Sequence, residues 1–125
     1  MTLKIIPLGG LGEIGLNMRV YEYGSTIFIV DAGLMFPEDY MLGVDYVIPD
    51  MTYIRKNRSH VTGIVLTHGH EDHIGGLPFL LREVNVPVYG TAFTLALVRQ
   101  KLEEHGLIES VALHAISPRD RLRIG

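Results

Sequence analysis

Residues 65–76 read VLTHGHEDHIGG, and the rest of the chain takes its place around them. Four side chains able to ligate a metal, His68, His70, Asp72 and His73, follow directly on the apolar run VTGIVL. His68 and His70 are two apart, so on an extended segment they project to one side and can chelate one ion together. Asp72 and His73 are adjacent, where the chain turns toward a helix announced by Ile74, Gly75 and Gly76. That turn aims the second pair at a position beside the first. Gly69, Gly75 and Gly76 keep bulk away, so the backbone can bend tightly around the ions. Imidazole nitrogen with carboxylate oxygen suits zinc, with manganese as second choice. The plainer alternative is a solvated polar loop, and three histidines and an aspartate between glycines after a buried strand weigh against it. Glu71 reads as a solvated or supporting carboxylate near a helix N-terminus.

Working outward, LKIIPLG at residues 3–9 reads as a short apolar strand ending in a glycine-rich turn. NMRVYEY alternates, with Met18 and Val20 on one face and Arg19, Tyr21 and Tyr23 on the other, the period of a half-buried strand. Gly24-Ser25 is a two-residue hairpin signal. TIFIVDAG is apolar on both faces, as in a strand central to its sheet, and stops at Asp31. From Ala32 to Asp50 the chain reads as a long irregular loop, of a length that usually carries function. A short helix is predicted over MTYIRKNRSH, a buried strand over VTGIVLTH, and a helix over GGLPFLLREV with Pro78 early enough to be tolerated. VPVYG reads as a strand. Thr91 to His105 reads as a helix with Leu95, Val98 and Leu102 on one side and Gly106 as its stop. SVALHAIS is a further strand, and RLRIG looks like the opening of another. A β-hairpin followed by alternating β and α elements defines an α/β layered fold.

Gly10, Gly12 and Gly15 in GLGEIG satisfy the G-x-G-x-x-G pattern, but a dinucleotide site needs a helix next, and an alternating strand follows instead. The glycines read better as a loop letting backbone pass close to a site. Asp31 ends an apolar strand at the C-terminal rim of the sheet, where α/β sites gather and where His68 also emerges. Its carboxylate could hydrogen-bond a ligating imidazole or a metal-bound water, or simply cap a turn. His60 precedes a strand, and His105 sits in the last turn of a helix, where a cation suits the dipole. His114, inside an apolar strand, is the one further histidine to consider as a ligand.

The 125 residues are 47% hydrophobic and 20% charged, with a net charge of −3, an ordinary globular composition for one domain. Arg55, Lys56 and Arg58 form a tight basic cluster, but no basic face of the kind nucleic-acid binders carry is evident. There is no cysteine, so disulfides and thiolate metal sites are excluded. No run approaches a membrane span, and a cytoplasmic protein is expected.

The His-x-His-x-Asp-His run resembles the signature of the metallo-β-lactamase superfamily. Three longer blocks, LGGLGEIGLNM at 8–18, DAGLMFPEDYMLGVDYVIPD at 31–50 and LTHGHEDHIGGLPFLL at 66–81, resemble the N-terminal part of the ribonuclease J family, in the β-CASP branch. NVPVYGT at 85–91 continues the likeness, which is weakest after His105. The resemblance implies an αββα sandwich of which this chain is the first half. The rest of that domain, the inserted β-CASP domain and a C-terminal domain would be absent. It implies that His68 and His70 hold one zinc, Asp72 and His73 the other, with Asp31 in support. A third histidine and a bridging aspartate would come from later in the chain, so His114 does not fill that place. The implied activity is two-zinc hydrolysis of RNA, from a 5′-monophosphate end and internally, in messenger turnover and ribosomal RNA maturation. At full length the family implies a homo-oligomer. Some members bind calcium in the acidic loop, which implies Glu38, Asp39 and Asp45 as ligands of a hard cation; the alternative is a surface loop that closes over the site.

With two ligands per ion, where catalytic zinc wants three, the chain alone is expected to be inactive and to expose apolar surface at an open sheet edge. Rival readings are another hydrolase of the same fold, acting on a thioester, lactam or DNA, or a metal-binding or interaction module without catalysis.

Overall fold

The computed structural model describes residues 2–9, 17–33, 43, 49–67 and 69–123, and of Glu71 and Asp72 the backbone alone. Among these residues the chain forms one six-stranded sheet whose strands lie in sequence order. Strands β1 (Leu3–Gly9), β2 (Met18–Tyr23) and β3 (Thr26–Val30) make an antiparallel meander. Strands β4 (Val61–Val65), β5 (Val88–Gly90) and β6 (Leu113–Ala115) continue it, each parallel to the one before. Between them lie helices α1 (Thr52–Lys56), α2 (Glu71–Ile74), α3 (Leu77–Glu83) and α4 (Ala92–Glu104). Parallel neighbours need a crossover, and α1, α3 and α4 supply it.

The β2–β3 turn is Gly24-Ser25, with Tyr23 opposite Thr26 and Gly24 at φ 61°, a conformation that glycine adopts without strain. Helix α4 starts at Thr91, whose hydroxyl accepts the Thr94 N–H. It ends as expected at Gly106, φ 70°. There Leu107 N–H reaches the Leu102 carbonyl and Gly106 N–H the Glu103 carbonyl, the paired bonds of a Schellman cap.

Side chains directly opposite in register share a face. Ile6, Val20, Ile29, Ile64, Val88 and Leu113 therefore form one row across all six strands. Its four central members are fully buried, in one cluster with Ile54 of α1, Leu77, Leu80 and Leu81 of α3, and Leu95, Val98 and Leu102 of α4. Each such side chain contributes about 1.5–3 kcal/mol by leaving water.

The opposite face carries Ile5, Tyr21, Phe28 and Gly63 in one row and Arg19, Val30, Val65, Tyr89 and His114 in the next. Tyr21 and Phe28 stack with ring centres 4.9 Å apart, and Tyr89 stacks on His114 at 5.2 Å. Tyr89 also leans over Gly63, where a Cβ would lie 3.2 Å from its ring. None of the hydrophobic residues among them belongs to the buried cluster or packs against it.

Two expectations need correcting. Residues 121–123 are irregular rather than the opening of a strand, and the SVALHAIS strand is confined to Leu113–Ala115. The GLGEIG loop, and most of the segment between Gly33 and Pro49, lie outside the described residues.

Candidate metal centre

Strands β3 and β4 are parallel neighbours, so their C-terminal ends share one rim, and Asp31 and the histidine segment both leave from it. Asp31 N–H donates to the Val65 carbonyl at 2.9 Å, which extends the β3–β4 pairing past the strand end. Its φ of 65° lies in the left-handed region, which few non-glycine residues enter and which aspartate tolerates better than most. The turn swings the carboxylate toward β4, where it is buried at 5% exposure.

A buried carboxylate needs partners on its oxygens. Oδ1 accepts the Thr67 N–H at 2.8 Å, and Oδ2 accepts the Thr67 hydroxyl at 2.7 Å. Oδ2 also lies 2.8 Å from Nδ1 of His73, and Thr67 Oγ1 is 3.3 Å from that same nitrogen. An ionised carboxylate only accepts, so Nδ1 carries the proton in this bond. An imidazole held this way presents Nε2 to a cation, the arrangement by which carboxylates orient metal-binding histidines.

The backbone repeats the link. Ala32 N–H donates to the His73 carbonyl at 2.7 Å, and Gly76 N–H to the Ala32 carbonyl at 2.7 Å. At Gly76 the approach is so close that a Cβ would stand 2.6 Å from the Gly33 carbonyl oxygen, which explains the glycine. His73 lies in α2, a single helical turn over Glu71–Ile74, where the sequence reading places the turn that leads into a helix. The His70 carbonyl starts that turn by accepting the N–H groups of His73 and Ile74 at 2.8 and 2.9 Å. The His70 side chain is exposed. Gly69 lies against Leu97 of α4, with no room for a side chain until Leu97 gives way.

Of the residues predicted to act here, the structure brings Asp31 and His73 into direct contact and sets His70 three residues before that pair. His68, the side chains of Asp72 and Glu71, and Glu38, Asp39 and Asp45 lie outside the described residues. Among the described residues no three histidine or acidic side chains gather as a metal-binding group. His60 bonds the Ser25 carbonyl through Nδ1 at 3.0 Å, His105 meets the Phe79 ring edge-on, and His114 stacks on Tyr89. Thr67 was not singled out from the sequence. Its only signal there is its place, immediately before the first histidine and at the end of an apolar strand.

The sequence model of the metallo-beta-lactamase superfamily matches residues 14–121, and the chain belongs to that superfamily. Its members are metal-dependent. Solved structures carry the same fold: zinc-bound PqqB from Methylobacterium extorquens aligns with 93% of this chain at TM-score 0.61 and 13% identity. The metallo-beta-lactamase SMB-1 aligns with 96% at TM-score 0.60 and 17% identity. This chain covers 50% and 49% of those two proteins.

Within the superfamily the chain is similar to ribonuclease J. It is 53% identical to ribonuclease J of Synechocystis sp. over 99% of its length, and 52% identical to that of Thermus thermophilus over 98%. Ribonuclease J2 of Bacillus subtilis is 56% identical over 84% of the chain. The chain spans about one-fifth of the length of these curated relatives, 20%, 22% and 19% respectively.

Proposed function

We propose that this chain supplies the metal-binding rim of a ribonuclease of the ribonuclease J kind. The enzyme would hydrolyse RNA phosphodiesters with two zinc ions, from the 5′ end and internally, in messenger turnover and ribosomal RNA maturation. The observation that carries this reading is 53% identity to a ribonuclease J over 99% of the chain, a span that includes the whole histidine motif.

The residues fit divalent metal. His73 has its Nδ1 tied to a buried carboxylate, so Nε2 is the nitrogen through which it would ligate. His68 and His70 would hold one ion, and Asp72 and His73 the other, a nitrogen-and-oxygen set that suits zinc, with manganese second. Two such ions, when bound, supply a water acidified toward a pKa of ~7 and positive charge for the phosphate oxygens. The chain's own part is orientation: Asp31 fixes the His73 ring, and the two backbone bonds through Ala32 fix the segment that bears it. RNA is the macromolecular partner in this reading, and the cytoplasm the location. Among the described residues no helix is long and apolar enough to cross a membrane.

The test compares this chain with the intact protein that carries it. Zinc titration and cleavage of a 5′-monophosphorylated RNA are expected to show activity only in the intact protein, abolished by His68→Ala or Asp72→Asn. Full RNA cleavage by either variant would overturn the assignment.

A further inference from the structure

We infer that Thr67 is a positioning residue for the metal centre, acting on His73 through Asp31; the inference rests on the metallonuclease reading above. One residue occupies both carboxylate oxygens of Asp31, with its N–H on Oδ1 at 2.8 Å and its hydroxyl on Oδ2 at 2.7 Å. Two donors fixed on one short segment stop the carboxylate from turning about its Cβ–Cγ bond. The oxygen Oδ2 is thereby held 2.8 Å from His73 Nδ1. The backbone N–H alone would hold one oxygen and leave the other to swing.

The hydroxyl also settles the direction of the bonds. Its single proton goes to Oδ2, so toward His73 Nδ1, 3.3 Å away, it offers only a lone pair. Asp31 Oδ2 and Thr67 Oγ1 then both face Nδ1 as acceptors, which favours the tautomer with its proton on Nδ1. The β-branch adds stiffness, because threonine at a strand end holds few χ1 rotamers. Serine in its place would keep the donor and lose only that stiffness.

The experiment uses the intact protein with Thr67→Val, Thr67→Ser, Asp31→Asn and the Thr67→Val/Asp31→Asn double variant. Three quantities are measured: zinc affinity by chelator competition, kcat and KM on a 5′-monophosphorylated RNA, and the His73 ring nitrogen shifts of the metal-free protein. Thr67→Val is expected to weaken zinc about tenfold, the lower end for partners of a ligating histidine, and to lower kcat while KM holds. Its His73 ring shifts toward the Nε2–H tautomer, and Thr67→Ser stays within about twofold of the parent by the same scale. The double variant is no weaker than Asp31→Asn alone, because Thr67 works through that carboxylate. Parental zinc affinity and ring shifts in Thr67→Val, or losses that multiply in the double variant, would overturn the inference. Should Thr67→Val fail to fold, Thr67→Ala removes the same hydroxyl without adding a methyl and takes its place. A parent protein that neither binds zinc nor cuts RNA would defeat the metallonuclease reading. The ring shifts would still decide whether Thr67 holds the Asp31–His73 pair.

Discussion

The two faces of the sheet are built from the same strands and have different fates. On one, the Val20–Ile29–Ile64–Val88 row is sealed beneath α1, α3 and α4. On the other, Tyr21, Phe28, Val30, Val65 and Tyr89 are only half-buried, Ile5 is 55% exposed, and the aromatic rings cover one another in pairs. The contrast teaches that side-chain size and burial are separate facts. Strands such as TIFIV, apolar on both sides, carry side chains suited to cover on both faces, and the described residues cover one.

The comparison can be broken first on the sealed side. Ile64→Ala is expected to cost about 2–5 kcal/mol in urea unfolding, because the fully buried methyls leave a cavity that strands on both sides cannot close. A loss as small as that of an open-face substitution would erase the distinction between faces. Next in size is Gly76→Ala, where the new Cβ meets backbone rather than a movable side chain, for a cost of about 1–3 kcal/mol. The same variant should lengthen the Asp31–His73 bond, visible as a change in the His73 ring shifts.

On the open face, Phe28→Ala is expected to cost about 1 kcal/mol, the worth of an aromatic pair beyond its area. That face and the β1 edge should also bind a hydrophobic dye and drive association that rises with concentration in sedimentation. A strictly monomeric chain that ignores the dye would show this face to be satisfied as it stands.

The smallest effect lies on the outer surface of the helical layer, where Arg55 of α1 grips Glu83 of α3 through two bonds of 3.0 and 2.8 Å. The Arg55 hydrogen bond is the main cause holding the Glu83 carboxyl below its ordinary value of 4.5. A depressed folded pKa gives stability that is present above the ordinary value and lost as pH falls through the folded one. Glu83→Gln should therefore lower stability slightly at pH 7 and flatten its decline below about pH 4.5, with little change if salt already screens the exposed pair.

Much of this was legible in the sequence because it is local. The alternation of Met18 and Val20 against Arg19 and Tyr21, the Gly24-Ser25 turn and the Gly106 stop each depend on residues a few positions apart. The histidine run is local in the same way, and of its members the structure sets His73 against Asp31. What escaped is long-range. Thr67 meets Asp31 across 36 positions, and nothing in LTH distinguishes a threonine that clamps a carboxylate from one that ends a strand. The left-handed turn at Asp31 escaped as well, since the Ala and Gly after it suggest a bend but not its hand. The single helical turn at Glu71–Ile74 lacks an apolar period to announce it, and is held by the His70 carbonyl instead.

Ala32 has a mechanical consequence. Its N–H and its carbonyl are both spent on the same short segment, one on His73 and one on Gly76, at 2.7 Å each. A stitch with two threads through one residue does not open by halves. The histidine segment and the end of β3 are thereby tied at two points, so a change that loosens one of them is felt by the other.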